Sequence, residues 1–323
     1  MTVSYIDFAP IYKLILLVAV ISNGVFFQPA NAAGPQISSM KLGFTSGTLY
    51  DVDLNDARAA QETWLRSIIQ NVNKNKLEIE VKTIVYANVS EASEAIKKNE
   101  IDAVILLPLE YLALGDAVPV IPIMTSRSGD NEGDYYVIAT HKQSNIQTIE
   151  QLQSQNLIIS IKGNNGIPKL WLETILLENK LPNSDTFFGA IKHVSKTTQA
   201  ILPVFFKQAD VCLVPKTDLG IAMALNPQLK TNLQIVQQSP GYNRIIVCVQ
   251  STFYEKNGDF LSEAIETVNQ ATQGQQLLTL FRVNNLSRFE EAHLDNIKKL
   301  VHTYQTLNKA STLSQDKLST IGK

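Results

Sequence analysis

The chain has 323 residues, of which 45% are hydrophobic and 18% charged, with a formal net charge of -2. That length supports one large core or two medium ones, and the composition is globular, neither disordered nor wholly membrane-embedded. A nearly neutral balance without a basic stripe disfavours nucleic acid as a partner.

The N-terminus reads as a targeting segment. Lys13 precedes an apolar run, Leu14 to Phe27, that is short for a membrane span. Pro29-Ala30-Asn31-Ala32 follows with a small-x-small cleavage pattern, so residues 1–32 are expected to be a secretory signal peptide cut after Ala32. Asp7 offsets Lys13 ahead of the run, which keeps an uncleaved anchor as the alternative. No cysteine stands at the cleavage point, so a bacterial lipoprotein anchor is not expected. The mature protein is expected to be soluble and periplasmic.

Met40 to Thr45 predicts a first strand, followed by the hydroxyl-bearing loop Ser46-Gly47-Thr48. A helix is predicted from about Asn55 to Asn73, with Ala60, Trp64, Leu65, Ile68, Ile69 and Val72 on one face. Ile79 to Tyr86 alternates as a second strand, and Ser90 is placed to cap a short helix from Glu91 to Lys98, ending at Asn99. Ile101 to Leu107 is a continuous apolar run closed by Pro108, the pattern of a parallel strand covered on both faces. A helix starts at Leu109, and Val118 to Met124 is another strand.

A polar break from Thr125 to Asp134 interrupts this order, and the pattern then restarts. Tyr135 to Thr140 predicts a strand, Thr148-x-x-Gln151 a capping box, and Leu157 to Ile161 a strand. Gly163-Asn164-Asn165-Gly166 forms a tight polar loop before Pro168, which sits at the start of an apolar helix carrying Leu170, Trp171, Ile175 and Leu176. Strand, polar loop and helix N-terminus together present backbone N–H groups to a small polar or anionic ligand; an ordinary strand-to-helix turn is the plainer alternative. Ala209-Asp210-Val211-Cys212 through Pro215 then repeats Ile101-Asp102-Ala103-Val104 through Pro108, with Asp at the strand start and Pro at its end. Two similar α/β lobes are the natural reading. A second crossing at residues 231–241 leads to a strand at Ile245 to Val249, to helices, and to a last amphipathic helix from Phe289 to Leu307.

Cys212 and Cys248 sit inside apolar runs and are expected to be free buried thiols, although export permits a disulfide. His141, His193, His293 and His302 are scattered without ligand spacing, so neither a metal site nor a cofactor is expected.

These pieces, in order, resemble the phosphate-, phosphite- and phosphonate-binding components of ABC importers, a family with the type II periplasmic-binding fold. The resemblance rests on Asn99-Glu100-Ile101-Asp102-Ala103-Val104, Pro108-Leu109-Glu110-Tyr111, Tyr135-Tyr136-Val137-Ile138 and the Gly163–Gly166 loop. Asp185-Thr186-Phe187-Phe188, Gln208-Ala209-Asp210 and Ser239-Pro240 extend it. It implies an α/β protein of two lobes, each a mainly parallel sheet flanked by helices, with a ligand cleft between them. Residues 36–127 would form the first lobe, 128–238 the second and 239–308 the return to the first, with 309–323 a disordered tail. The chain departs from the family where a Ser/Thr-rich loop gives way to Gly163-Asn164-Asn165-Gly166, and where a His gives way to Ser195 and Lys196.

Ligands in open α/β sheets sit off the carboxyl ends of the strands. That rule, with the resemblance, nominates Ser46, Thr48, Glu110, Tyr111, Asn164, Asn165, Gly166, Ser195, Lys196 and Lys216, and Tyr135 as the matching aromatic contact. Lys196 and Lys216 would favour an oxyanion or carboxylate, unless both are solvated surface lysines. Glu110 would favour an amine, which makes a zwitterion a further candidate. The resemblance implies a non-catalytic monomer that captures a small-molecule ligand and delivers it to an ABC permease. A membrane sensor partner is the alternative output, and an enzyme of cofactor-precursor metabolism a weaker one, since no acid/base constellation accompanies the cleft residues.

Overall fold

The structure is a computed structural model that describes residues 39–49, 54–72, 80–127, 134–160, 165–281 and 283–321. The expected signal peptide, the residues Gly163 and Asn164, and the side chains of Ala60, Trp64 and Ile68 lie outside what is described.

One sheet takes its strands from both ends of the chain. β1 (Ser39–Thr45), helix α1 (Leu54–Val72), β2 (Glu80–Tyr86), α2 (Val89–Lys97), β3 (Ala103–Leu106), α3 (Pro108–Leu114) and β4 (Val120–Arg127) come first. The middle of the chain supplies β5 (Tyr136–His141), β6 (Asn156–Ser160), α4 (Ile167–Glu178), α5 (Ser184–Phe187), β7 (Ala190–Val194), α6 (Thr198–Phe205) and β8 (Val211–Pro215). It continues through α7 (Lys216–Leu225), α8 (Pro227–Asn232) and β9 (Leu233–Gln238). The return brings β10 (Ile246–Gln250), α9 (Ser251–Gln270), α10 (Thr272–Leu280), β11 (Asn285–Arg288) and α11 (Asp295–Ile321).

The strand orders are β11-β4-β10-β3-β1-β2 and β7-β6-β8-β5-β9. In the first, β1 runs parallel to β2 and β3, while β10 lies antiparallel between β3 and β4. In the second, β6 runs parallel to β7 and β8, while β5 lies antiparallel between β8 and β9. Apart from β11 the two sheets share one plan, and in each the reversed strand is the first after a crossing. The expected parallel character therefore holds for most strands, with β5, β10 and the edge strand β11 opposed.

The repeated aspartates have a structural use. Asp102 accepts from the backbone N–H of Lys41 at 2.7 Å and donates its own N–H back to the Lys41 carbonyl at 2.9 Å. Asp210 does the same with Asn156, at 2.9 and 3.2 Å. Each carboxylate satisfies an N–H at the open start of the neighbouring parallel strand, where the ladder offers no partner. The runs that follow, β3 and the Val211–Val214 part of β8, are buried throughout, as strands covered on both faces must be.

Several local expectations are corrected. Asn88 rather than Ser90 caps α2, accepting from the Glu91 N–H. Thr148 to Gln151 opens only a 3-10 turn at Glu150–Leu152, although Gln151 does reach back to the N–H groups of Gln147 and Thr148. The second crossing, expected as a polar stretch, contains the strand β9. The last helix continues to Ile321 instead of giving way to a tail, because no Gly or Pro interrupts residues 295–321.

The two crossings pair with each other. Asp134 and Tyr242 exchange backbone hydrogen bonds of 2.6 and 2.9 Å, and Arg244 Nε donates to Asp134 Oδ2 at 2.7 Å. On one side of this strap, Ser239 Oγ accepts from the Tyr136 N–H at 2.8 Å, which gives Ser239-Pro240 its structural role. Helix α11 packs against α4, so the returning chain also braces the second sheet.

Candidate functional site

The carboxyl ends of β6 and β8, the first turn of α4 and the strap converge on one polar cavity. It is lined by Tyr136, Ser160, Asn165, Pro168, Pro215, Asp218 and Arg244. Its volume is about 10 Å³, the space of one water molecule. Next to the cavity residue Asn165, a Cβ placed on Gly166 would lie 3.4 Å from Leu109 Cδ1, so α3 and the entrance to α4 nearly touch. Gly166 has an ordinary helical φ of -75°, so its small size serves close approach here and not an unusual backbone angle.

Two polar chains meet at this cavity. Thr197 Oγ1 donates to Asp218 Oδ2 at 2.7 Å and lies 3.3 Å from Ser160 Oγ. A hydroxyl has one proton, so with Thr197 committed to Asp218, Ser160 is the donor in that second bond. On the other side Asn165 Nδ2 donates to Tyr136 Oη at 2.6 Å, while Asn165 Oδ1 accepts from the Ile167 N–H at the start of α4. Arg244 enters from the strap, its Nε held by the buried carboxylate of Asp134. The cavity thus combines a carboxylate, a guanidinium, hydroxyls and an amide beside the N-terminus of a helix of 12 residues. Such a set can hold an anionic head and, at Asp218, a cationic or protonated group.

The residues nominated from sequence divide into groups. Asn165 lines the cavity, and Gly166 beside it in the chain is the N-cap residue of α4. Tyr135 and Lys216 meet beside it: Lys216 Nζ lies 5.5 Å from the Tyr135 ring centre, and its N–H donates to the Tyr135 carbonyl. In the first sheet the polar groups turn inward. Thr48 is buried and donates to the Thr45 carbonyl, Ser46 donates to the Ala87 carbonyl, and Glu110 accepts from Thr45 Oγ1 and the Leu107 N–H. Tyr111 packs against Phe289 in a separate hollow with Glu291 and Lys298, where burial pushes its phenol up to about 12. Ser195 and Lys196 are exposed, and Ser195 lines a groove beyond β7.

Ser160, Thr197, Asp218, Tyr136, Arg244 and Asp134 were not nominated from sequence. Ser160 lies next to the end of the strand predicted over Leu157 to Ile161, and Asp218 lies two residues past the nominated Lys216, so the strand-end rule came close to both. Arg244 and Asp134 carry no local signal; only the pairing of the crossings brings them together. Among the described residues, no His, Cys, Asp and Glu cluster could hold a metal ion, and no helix is long and apolar enough to cross a membrane.

Two sheets of matching plan, exchanged through two crossings with polar groups at their strand ends, make this a type II periplasmic-binding fold. XAC2383 from Xanthomonas citri, solved with ATP bound, superposes with a TM-score of 0.60 at 13% identity, covering 84% of this chain and 98% of that one. PhnD1 from Prochlorococcus marinus, solved with methylphosphonate, gives 0.55 at 17%, covering 84% and 99%. A binding-protein component of an ABC phosphonate transporter from Pseudomonas aeruginosa gives 0.58 at 12%, covering 85% and 89%. No curated protein matches by sequence. The family of ABC transporter, phosphonate, periplasmic substrate-binding proteins matches residues 66–297, and the chain belongs to it. Its role is that of a transporter's substrate-binding component, not an enzyme.

Proposed function

We propose that the protein is exported through a cleaved N-terminal signal peptide and captures a small anionic or zwitterionic solute between two lobes for an ABC permease. Residues 36–127 and 239–308 form one lobe and 128–238 the other, and the strap at Asp134 and Tyr242 is the hinge. The observation that carries the reading is the cavity where Ser160, Asn165, Asp218 and Arg244 converge at the carboxyl ends of β6 and β8. Arg244 and the α4 N-terminus take the anionic head, and Asp218 takes an amine or an acidic proton. Relatives solved with methylphosphonate and with ATP support an oxyanion head. A space for one water cannot hold such a solute, so the lobes part to admit it and settle around it. Tyr135 and Lys216 form the rim. The protein works as a monomer.

Thermal unfolding of the mature protein tests this against methylphosphonate, aminomethylphosphonate, phosphate, methanesulfonate and ATP. A bound solute raises the midpoint by mass action, and Arg244→Ala removes that rise. If no member of the panel moves the midpoint, or if Arg244→Ala leaves the rise intact, the reading is overturned.

A further inference from the structure

The second sheet has a groove on its outer side that solute capture does not use. Strand β7 pairs only with β6 among the described strands and forms an edge of the sheet, so the outward backbone groups of alternate residues lack ladder partners. Between this edge and α6 lies a groove of about 750 Å³, lined by Lys192, His193, Val194 and Ser195 on one side and by Leu202 and Phe206 on the other. Phe206 is 61% exposed and Leu202 39%, an apolar pair presented to solvent beside an open strand. Among the described residues no carboxylate lines the groove, Lys192 does, and Lys196 is exposed next to Ser195.

We propose that this groove docks an extended segment of a partner protein in which acidic and apolar residues alternate, adding to β7 as a further strand. Backbone hydrogen bonds along the edge supply register, Phe206 and Leu202 receive the apolar side chains, and Lys192 receives an acidic one. A second copy of β7 would set Lys192 and His193 against like groups, which disfavours self-pairing at this edge. The groove lies close along the chain to residues bonded to the cavity lining. Ser195 lines the groove, and two residues on, Thr197 holds Asp218 and contacts Ser160.

The test is hydrogen–deuterium exchange of the full chain with a synthetic probe, acetyl-Glu-Val-Glu-Leu-Glu-Val-amide, and its lysine counterpart. The acidic peptide is expected to slow exchange at residues 190–194 about tenfold, and the lysine peptide not at all. Lys192→Glu should reverse that preference. Phe206→Ser should abolish protection without moving the thermal midpoint, since the ring is mostly exposed. The proposal is overturned if both peptides protect equally or neither does. It is also overturned if the edge is already protected without peptide, whether by a second copy, seen as concentration dependence, or by the chain's own N-terminal segment.

Discussion

The two sheets share a strand plan and an aspartate clamp, yet they spend their polar strand ends differently. In the first, Thr45, Ser46, Thr48 and Glu110 bond to one another or to nearby backbone. In the second, Ser160, Asp218 and Asn165 line a shared cavity, with Thr197 behind them bonded to Asp218. Similar sequences at matching places in a fold can therefore close a turn or make a site. Which outcome follows depends on whether the groups face one another and nearby backbone, as Thr45 faces Glu110, or face an open space, as Ser160 and Asp218 do. On the proposed function, one lobe is a firm jaw and the other carries most of the recognition.

The largest expected effect lies at the strap between them. Asp134→Ala leaves Arg244 without the carboxylate it bonds at 2.7 Å, where the side chains are only 13% and 7% exposed. Denaturant unfolding should register a loss of about 3 kcal/mol, the cost of breaking a buried pair. If the loss is negligible, the strap does not hold the crossings together.

The aspartate clamps should come next and should match. Asp102→Ala and Asp210→Ala each remove one charge-assisted bond to a strand-start N–H, at partly exposed positions, so each should cost about 1 kcal/mol. Unequal losses would argue that the two lobes are not stabilised alike. Gly166→Val tests the close approach of the jaws. It adds bulk against Leu109 and should weaken solute binding about tenfold while leaving unfolding nearly unchanged. Unaltered affinity in a calorimetric titration would mean that α3 and α4 do not approach in the bound form.

The smallest effect belongs to pH. Burial, aided by Lys207, lowers the pKa of His141 below its ordinary 6.5. The unfolded chain then takes up the proton first, so this contribution to stability is present above pH 6.5 and lost as pH falls below it. His141→Gln should flatten the pH dependence of the thermal midpoint in that window, and an unchanged slope would contradict the assignment.

Much of the architecture is legible in the chain because it rests on local patterns. The unalternating runs at Val104 and Val211, the Pro residues after them and the restart at Tyr135 all report burial or chain direction. The repeated Asp was visible as a repeat, but its purpose appears only when the neighbouring strand start is set beside it. The cavity was half legible. Asn165 follows from the polar loop before α4, and Ser160 and Asp218 lie beside segments that the strand-end rule had already marked. Arg244 and Asp134 were out of reach, since they lie 110 residues apart and meet only where the two crossings pair. Glu110 misleads for the opposite reason: as a carboxylate just past a strand end it looks available, but it already accepts from the Leu107 N–H of its own turn and from Thr45 Oγ1 at the end of β1.

One titration bears most directly on the division of labour between the jaws. Aminomethylphosphonate titrated into the native protein, Asp218→Asn and Glu110→Gln should bind the native protein and Glu110→Gln alike. Its affinity for Asp218→Asn should be at least about tenfold weaker, as expected when a charged, partly buried acceptor for an amine is lost. The opposite outcome, with binding kept in Asp218→Asn and lost in Glu110→Gln, would place recognition in the first lobe and contradict the account.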